Sequence, residues 1–393
     1  MNKKKCLIVY PYFALYRKHI FDALFSSDFG WEFELVGDKE CDFGIKGIDP
    51  KFANIPRERG GLKWTFAKNY LPFGKKIPIY WQPGIFKRFL KKDYDAVIML
   101  GSIYYISYVL SIPLLKFSKI PIIFWSHGFL GKDSKVIEYL RHLLYKQGDG
   151  FLLYGNRAKG IMERSGNYKN KRLHVIYNSL DYEPLKEINV PGKELFIIRK
   201  ELFKYPNIPV VIATGRVTRE KSFDYLLNAL NISINKYKKG FNLLIIGDGP
   251  ELVRLKSFAE EKGLLDYVSF SGEIYGKDIF KFLMASELCV IPGNVGLSAM
   301  HAFSVGLPVI SHDNFDIQMP EFEAIIEGKT GSFYKYGDIE DLVSKIHYWI
   351  FSKERLKDAK NHCLLVTSDR YNVVNQVKVI KECLSQFSHV NKA

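Results

Sequence analysis

Two stretches of the chain carry residue types and spacings suited to holding a phosphorylated group. The longer runs Ile291-Pro-Gly-Asn-Val-Gly-Leu-Ser-Ala-Met-His-Ala-Phe-Ser-Val-Gly-Leu-Pro-Val-Ile310. It reads as a strand ending at Pro292, a loop of Gly293, Asn294, Val295 and Gly296, and a short helix from Leu297 to Ser304 that carries His301. Unsatisfied N–H groups at such a helix start cradle an anion, and the helix dipole favours a phosphate there. The second stretch, Gly215-Arg216-Val-Thr-Arg-Glu-Lys221, follows an apolar run. Arg216 and Lys221 are spaced to set two cations over one crevice, where a departing diphosphate needs its charge neutralised. Either basic residue alone reads more readily as an exposed surface charge; the pairing with the glycine loop is what favours the anion site.

These residues need a scaffold that brings loops to one edge. Strand-like apolar runs alternate with helical periodicity in both halves, the pattern of parallel sheets with crossover helices. In the second half the strands are expected at Val210–Thr214, Asn242–Ile246, Tyr267–Ser271, Leu288–Ile291, Pro308–Ser311 and Gly331–Tyr334. Four run into a glycine: Gly215, Gly247, Gly272 and, after Pro292, Gly293. Ligands of open α/β sheets bind outside the carboxyl ends of the strands. A tight strand-to-helix turn explains any one of these glycines, whereas four at the same end point to a crevice. In the first half, Ala96 to Leu115 has no charged residue and is long enough to cross a bilayer. It parses better as a buried strand ending at Gly101 and a helix from Tyr104 to Phe117 interrupted by Pro113, with the next strand at Ile120–Trp125. The expected domains are residues 1–182 and 192–367, joined by a polar segment with Pro184 and Pro191. A last helical stretch, 368–393, is expected to pack back towards the first domain.

Composition narrows the classes of function. The chain has 393 residues, 47% hydrophobic and 25% charged, with 57 Lys plus Arg against 42 Asp plus Glu, a net charge of +15. Such a chain is neither disordered nor fibrous. Residues 1–180 hold 30 basic and 15 acidic side chains, so the surplus lies in the first half. Within it, residues 51–92 carry eleven Lys or Arg against Glu58, interleaved with Trp64, Phe66, Phe73, Tyr80, Trp81 and Phe86. Aromatic residues suit a bilayer interface and cations suit anionic lipid, so an anionic membrane surface is the expected partner of this segment; a solvated basic face is the plainer alternative. Nucleic acid is not expected, for no helix-turn-helix, zinc-finger or RNA-recognition signature occurs. Five scattered cysteines without a CxxC pair argue against a disulfide framework or a zinc site. The apolar run Cys6–Tyr10 is too short for a signal-peptide core, and a cytoplasmic location is expected.

An ordered set of strings now resembles a known family. Gly215-Arg216…Lys221-Ser222-Phe223, Ile246-Gly-Asp-Gly-Pro-Glu251, Val268-Ser-Phe-Ser-Gly272, Val295-Gly-Leu297, Gly306-Leu-Pro-Val-Ile310 and Glu327-Gly-Lys-Thr-Gly331 look like the family-four, GT-B-fold retaining glycosyltransferases. Upstream, Trp125-Ser-His127-Gly128 and Val175-Ile-Tyr-Asn178…Asp181 are similar to the family's first-domain histidine motif and the strand before its linker. The resemblance implies an α/β architecture of two Rossmann-like domains whose parallel sheets face a central cleft. It also implies a nucleoside-diphosphate sugar held by the second domain, an acceptor held by the first, and no metal or other cofactor. Arg216 and Lys221 would contact the diphosphate, Asn294 to Leu297 would bind phosphate and sugar, and His127 would face the donor sugar. Gly215, Gly247, Gly272, Glu273 and Gly293 would complete the donor-binding edge.

The chain departs from the family in one respect. The family's two glutamates around the Val-Gly-Leu loop fall here on Gly293 and His301. His301 can still give or take one hydrogen bond. A replacement carboxylate is expected from Glu321 or Glu323, which follow a strand and so lie near the same edge; a helix start with acids in its first turn is the plainer reading. In the first domain the turn after Cys6–Tyr10 is Pro11-Tyr12-Phe-Ala-Leu-Tyr16-Arg17, aromatic and basic, fit to stack a sugar or hold an acceptor phosphate, or simply to pack under a helix. The expected activity is transfer of a sugar to a lipid-linked or surface polysaccharide acceptor at the inner membrane face. The alternatives are a sugar-nucleotide epimerase or phosphorylase of the same fold, and a non-catalytic nucleotide-sugar binder.

Overall fold

The computed structural model describes residues 3–41, 46–74, 77–91, 93–129, 131, 133–180, 190–274 and 276–387. Lys75, Lys76 and Lys92 of the basic segment, and Asp181 and Pro184 of the junction, lie outside the described residues. The chain divides into two compact units, Met1–Ser179 with Val373–Ala393, and Leu180–Asn372.

The first unit holds β1 (Lys4–Tyr12), α1 (Lys18–Ser26), β2 (Trp31–Asp38), β3 (Trp64–Phe66), α2 (Gly84–Phe89), β4 (Ala96–Met99), α3 (Ile106–Phe117), β5 (Ile122–Ser126), α4 (Lys135–Lys146), β6 (Gly150–Leu153), α5 (Asn156–Arg164) and β7 (Arg172–Val175). Its seven strands, all parallel, lie in the order β3-β2-β1-β4-β5-β6-β7. The second unit holds α6 (Gly192–Leu202), β8 (Val210–Thr214), α7 (Phe223–Asn235), β9 (Asn242–Ile246), α8 (Leu252–Glu261), β10 (Val268–Phe270), α9 (Asp278–Met284), β11 (Leu288–Val290), α10 (Leu297–Ser304), β12 (Val309–His312), β13 (Gly331–Tyr334), α11 (Ile339–Ile350) and α12 (Lys353–Asp369). Its parallel sheet runs β10-β9-β8-β11-β12-β13. The last helix, α13 (Val373–Ser385), returns to the first unit, where it packs on α1, β6 and β7.

The strands are apolar because both faces of each sheet are covered by helices. Every residue of β8 and β9 is buried, and α7, α8 and α11 add Leu226, Leu230, Leu255, Ile346 and Trp349 to the same core. Each order reverses once, between β1 and β4 and between β8 and β11. At such a reversal the loops leave the sheet in opposite directions and open a crevice at the carboxyl ends.

Two expectations are corrected. Pro113 does not interrupt its helix, since α3 continues through it to Phe117. Proline has no N–H to offer the carbonyl four residues back, that of Val109, and Val109 is an exposed residue of the helix. The basic aromatic segment is also only partly a surface: Trp64 and Tyr80 are buried, Arg88 pairs with Glu34 at 3.0 Å, and Arg57 with Asp22 at 3.3 Å. Phe66, Tyr70 and Phe73 remain exposed. No helix among the described residues is long and apolar enough to cross a membrane.

Candidate functional site

In the second unit the strand ends converge. The Gly247 amide donates to the Gly272 carbonyl at 2.7 Å, and the Gly215 amide to the Ile246 carbonyl at 3.0 Å. Gly247 has φ +147°, and a Cβ there would lie 1.9 Å from the Gly215 oxygen, so only glycine lets the two turns meet. Beside them α10 begins at Gly296, and Ser298 Oγ donates to the Thr214 carbonyl at 3.1 Å, tying this helix start to the end of β8. The first N–H groups of α10 have no acceptor within the helix and stand at the crevice between β8 and β11.

Lys221 closes one side of this crevice. Its Nζ donates to both the main-chain oxygen and the Oδ1 of Asn294, at 2.7 Å each. Burial pushes its pKa down from the ordinary lysine value, while the charges of Glu321 and Glu220 work the other way. Glu321, 4% exposed on the turn Pro320–Ala324, is thus the buried carboxylate whose field reaches Lys221; Glu323 on the same turn is half-buried. Arg216 is exposed on the loop after β8, and no acidic side chain among the described residues pairs with it. Glu273 is exposed beyond β10. His301 lies in α10 with its ring edge-on to Phe280 at 5.7 Å, and burial pushes its pKa down to about 4. It is a neutral imidazole at physiological pH, able to donate one hydrogen bond and accept another.

The loop from Pro292 to Gly296 is held by groups that only the structure reveals. Tyr334 Oη donates to the Pro292 carbonyl at 2.6 Å, and Ser311 Oγ to the Gly293 carbonyl at 3.2 Å. Val295 N–H donates to Gln318 Oε1 at 2.7 Å, while Gln318 Nε2 donates to Ser311 Oγ and to the His312 carbonyl. Gln318 and Ser311 are fully buried. A satisfied network of this kind fixes the backbone rigidly.

In the first unit, Tyr12, Tyr16, Arg17 and His127 line one cavity of about 180 Å³ together with Tyr10 and Tyr154. It opens at the carboxyl ends of β1 and β4, where that sheet reverses its order. His127 packs on Tyr154 with ring centroids 4.7 Å apart.

Residues 196–362 match the family model described as glycosyl transferases group 1. This segment is a group 1 glycosyltransferase domain. An uncharacterized 41.2 kDa protein in the cps region of Klebsiella pneumoniae is 27% identical over 237 residues, which span 57% of this chain and 60% of that protein. The alpha-monoglucosyldiacylglycerol synthase of Streptococcus pneumoniae is 24% identical over 223 residues, spanning 56% of this chain and 48% of the synthase. The chain therefore covers about half to three-fifths of the length of these relatives. Among solved structures, HepE of Anabaena in complex with UDP superposes with a TM-score of 0.72 at 17% identity, covering 98% of this chain and all of that one. Both units thus have the GT-B glycosyltransferase fold.

Within the group 1 domain, the sequence names Gly215, Lys221, Gly247, Gly272, Gly293 and Asn294, and the structure gathers them along one edge of the sheet. It leaves Arg216 and Glu273 at the exposed rim. Sequence reasoning missed Gln318, Ser311 and Tyr334. The signal available for Gln318 was its place just after β12, the strand beside the loop it holds.

Proposed function

We propose that the chain is a glycosyltransferase that moves a sugar, with retention at the anomeric carbon, from a nucleoside-diphosphate donor to a glycan acceptor that is lipid-linked or part of a surface polysaccharide. The observation that carries this reading is the bond pair from Lys221 to Asn294 at the start of α10. It sets a cation beside a bank of helix N–H groups. A diphosphate seated there receives main-chain hydrogen bonds, the helix dipole and the charges of Lys221 and Arg216. These groups stabilise most strongly the charge that develops as the sugar–phosphate bond breaks. In this reading His301 and Glu321 hydrogen-bond donor hydroxyls in the stead of the family's glutamates. The first unit, with His127, Tyr12, Tyr16 and Arg17 around one cavity, holds the acceptor and orients its attacking hydroxyl. Catalysis is then positioning together with leaving-group electrostatics.

A relative named as a glucosyldiacylglycerol synthase and another from a cps region support the lipid or polysaccharide acceptor. The exposed Phe66, Tyr70 and Phe73, near the exposed Lys68, support peripheral attachment at the cytoplasmic membrane face. The test is a thermal-shift series with UDP, GDP and ADP against their nucleosides, followed by transfer from the labelled diphosphate sugar of the preferred base to a membrane lipid extract. One diphosphate should raise the melting temperature by several degrees where its nucleoside does not. A chain stabilised by none of them, and inert with every donor, is not a glycosyltransferase.

A further inference from the structure

Arg17 follows the turn after β1 and is only 7% exposed. Its guanidinium lies 4.7 Å from the ring centre of Tyr10, 4.9 Å from that of Trp125 and 5.5 Å from that of Tyr154. Cation–π contacts of this kind offset part of the cost of removing a cation from water. They do not satisfy its five N–H donors. The polar groups facing it are the hydroxyls of Tyr10 and Tyr16, and no carboxylate among the described residues pairs with it. A buried cation without a counter-ion is costly, and this one lines the cavity of the first unit.

A second polar group lines the same cavity. Tyr154 is 3% exposed, and its hydroxyl has no hydrogen-bond partner among the described residues. Buried hydroxyls ordinarily find one. The cavity therefore presents a guanidinium and a hydroxyl donor, both buried, among tyrosine rings whose faces suit the apolar face of a sugar.

We propose that this cavity recognises an anionic oxygen group carried on the acceptor sugar, a phosphate or a carboxylate, with Arg17 as its counter-ion and Tyr154 Oη as a second donor. The inference rests on the reading of the first unit as the acceptor side and adds the chemical class of the acceptor. Arg17 presents a planar fork that matches either anion in bidentate fashion. The two sources are a sugar phosphate, as in a lipid-linked phosphosugar, and a uronic acid.

The experiment is isothermal titration of the full-length protein with glucose 1-phosphate, glucuronate and glucose, and separately with the nucleoside diphosphate it prefers. At least one anionic sugar should bind roughly 10-fold or more tighter than glucose, the usual worth of a charge-assisted hydrogen bond. Which of the two binds identifies the source. Arg17→Met should remove that preference and leave diphosphate affinity unchanged. Tyr154→Phe, which deletes a hydroxyl without a partner among the described residues, should keep the wild-type melting temperature and weaken the anionic sugar several-fold. The proposal is overturned if neither anionic sugar binds better than glucose, or if both variants bind them as wild type does. It is also overturned if Arg17→Met loses the diphosphate as well, for the anion would then belong to the donor. If the diphosphate fails to bind while an anionic sugar still needs Arg17, the donor reading falls and the anion site stands.

Discussion

A Cβ built on Gly293 would lie 2.8 Å from the Cα of Lys221 and 2.2 Å from the carbonyl oxygen of Glu220. The backbone that carries the cation thus fills the space into which a side chain at position 293 would project. At the position where the resemblance puts the family's first glutamate, this packing leaves no room for a side chain. Gly293→Glu should therefore fail to add a useful carboxylate, and even Gly293→Ala should displace Lys221, lower the melting temperature and cut turnover at least 10-fold. Gly296→Ala is the control, since a Cβ there meets nothing within 4 Å and the fold should keep its melting temperature. Wild-type melting and turnover in Gly293→Ala would refute the account.

Gln318 accepts from Val295 N–H and donates to two further groups in the buried network. Gln318→Leu leaves a buried N–H and a hydroxyl short of partners, a loss of about 1–3 kcal/mol. Because the residue holds the loop and does not reach the crevice itself, the loss should appear as lower kcat and weaker diphosphate binding in a folded protein. Gln318→Glu keeps the acceptor for Val295 but removes the donors, so steady-state kinetics should place it between wild type and Gln318→Leu.

Lys221 is the proposed counter-charge of the leaving group. Lys221→Met should lower turnover roughly 100-fold, the scale of removing one preorganised donor from a developing anion. Its pKa is already held below the ordinary lysine value by burial, and Glu321 is the largest influence holding it up. Turnover should fall on the alkaline side as Lys221 loses its proton. Glu321→Gln removes the supporting charge, so this alkaline limb should move to lower pH. An unmoved limb in a pH–rate profile of that variant would detach Glu321 from Lys221.

What the sequence disclosed depends on how local each cause is. The strands Val210–Thr214, Asn242–Ile246 and Gly331–Tyr334 were legible to the residue, because continuous apolar runs bounded by turn residues are decided within a few positions. Gly293 was legible as a loop glycine. The reason for it was not, since the backbone it touches lies some seventy residues earlier. Gln318 reads as an ordinary loop residue until the fold lays it under Val295. Trp64 misled for the opposite reason: in a three-residue strand no alternation shows which face is inside, so a core tryptophan among lysines looks like a membrane anchor.

That distinction predicts which part of the basic segment carries the proposed membrane attachment. Phe66→Asp and Phe73→Asp alter exposed side chains and should leave melting unchanged while reducing sedimentation with vesicles containing phosphatidylserine at low salt. Trp64→Asp places a charge in the core and should destabilise the fold by several kcal/mol. Binding to vesicles undiminished in the two Phe variants would remove this surface from consideration.

Histidines whose pKa burial lowers make stability depend on pH on the acid side, and the largest shifts are those of His301 and His312. Burial lowers the pKa of both His301 and His312 to about 4, with Asp313 opposing the effect at His312. In the unfolded chain each titrates near its ordinary value of about 6.5. Between these values the unfolded state binds protons that the folded state does not, so stability rises with pH across this window. The contribution is complete above about pH 6.5 and is lost as pH falls towards 4. For fully buried His312 it amounts to about 3 kcal/mol. Most carboxylates titrate below about pH 4.5, so a fall in melting temperature between pH 6.5 and 5 isolates the histidines. His301→Gln should flatten that part of the profile, and, because the wild-type imidazole is neutral throughout, donor affinity should not change from pH 5.5 to 8. A melting temperature that holds constant down to pH 5 in the wild type would show that neither ring is held neutral by burial.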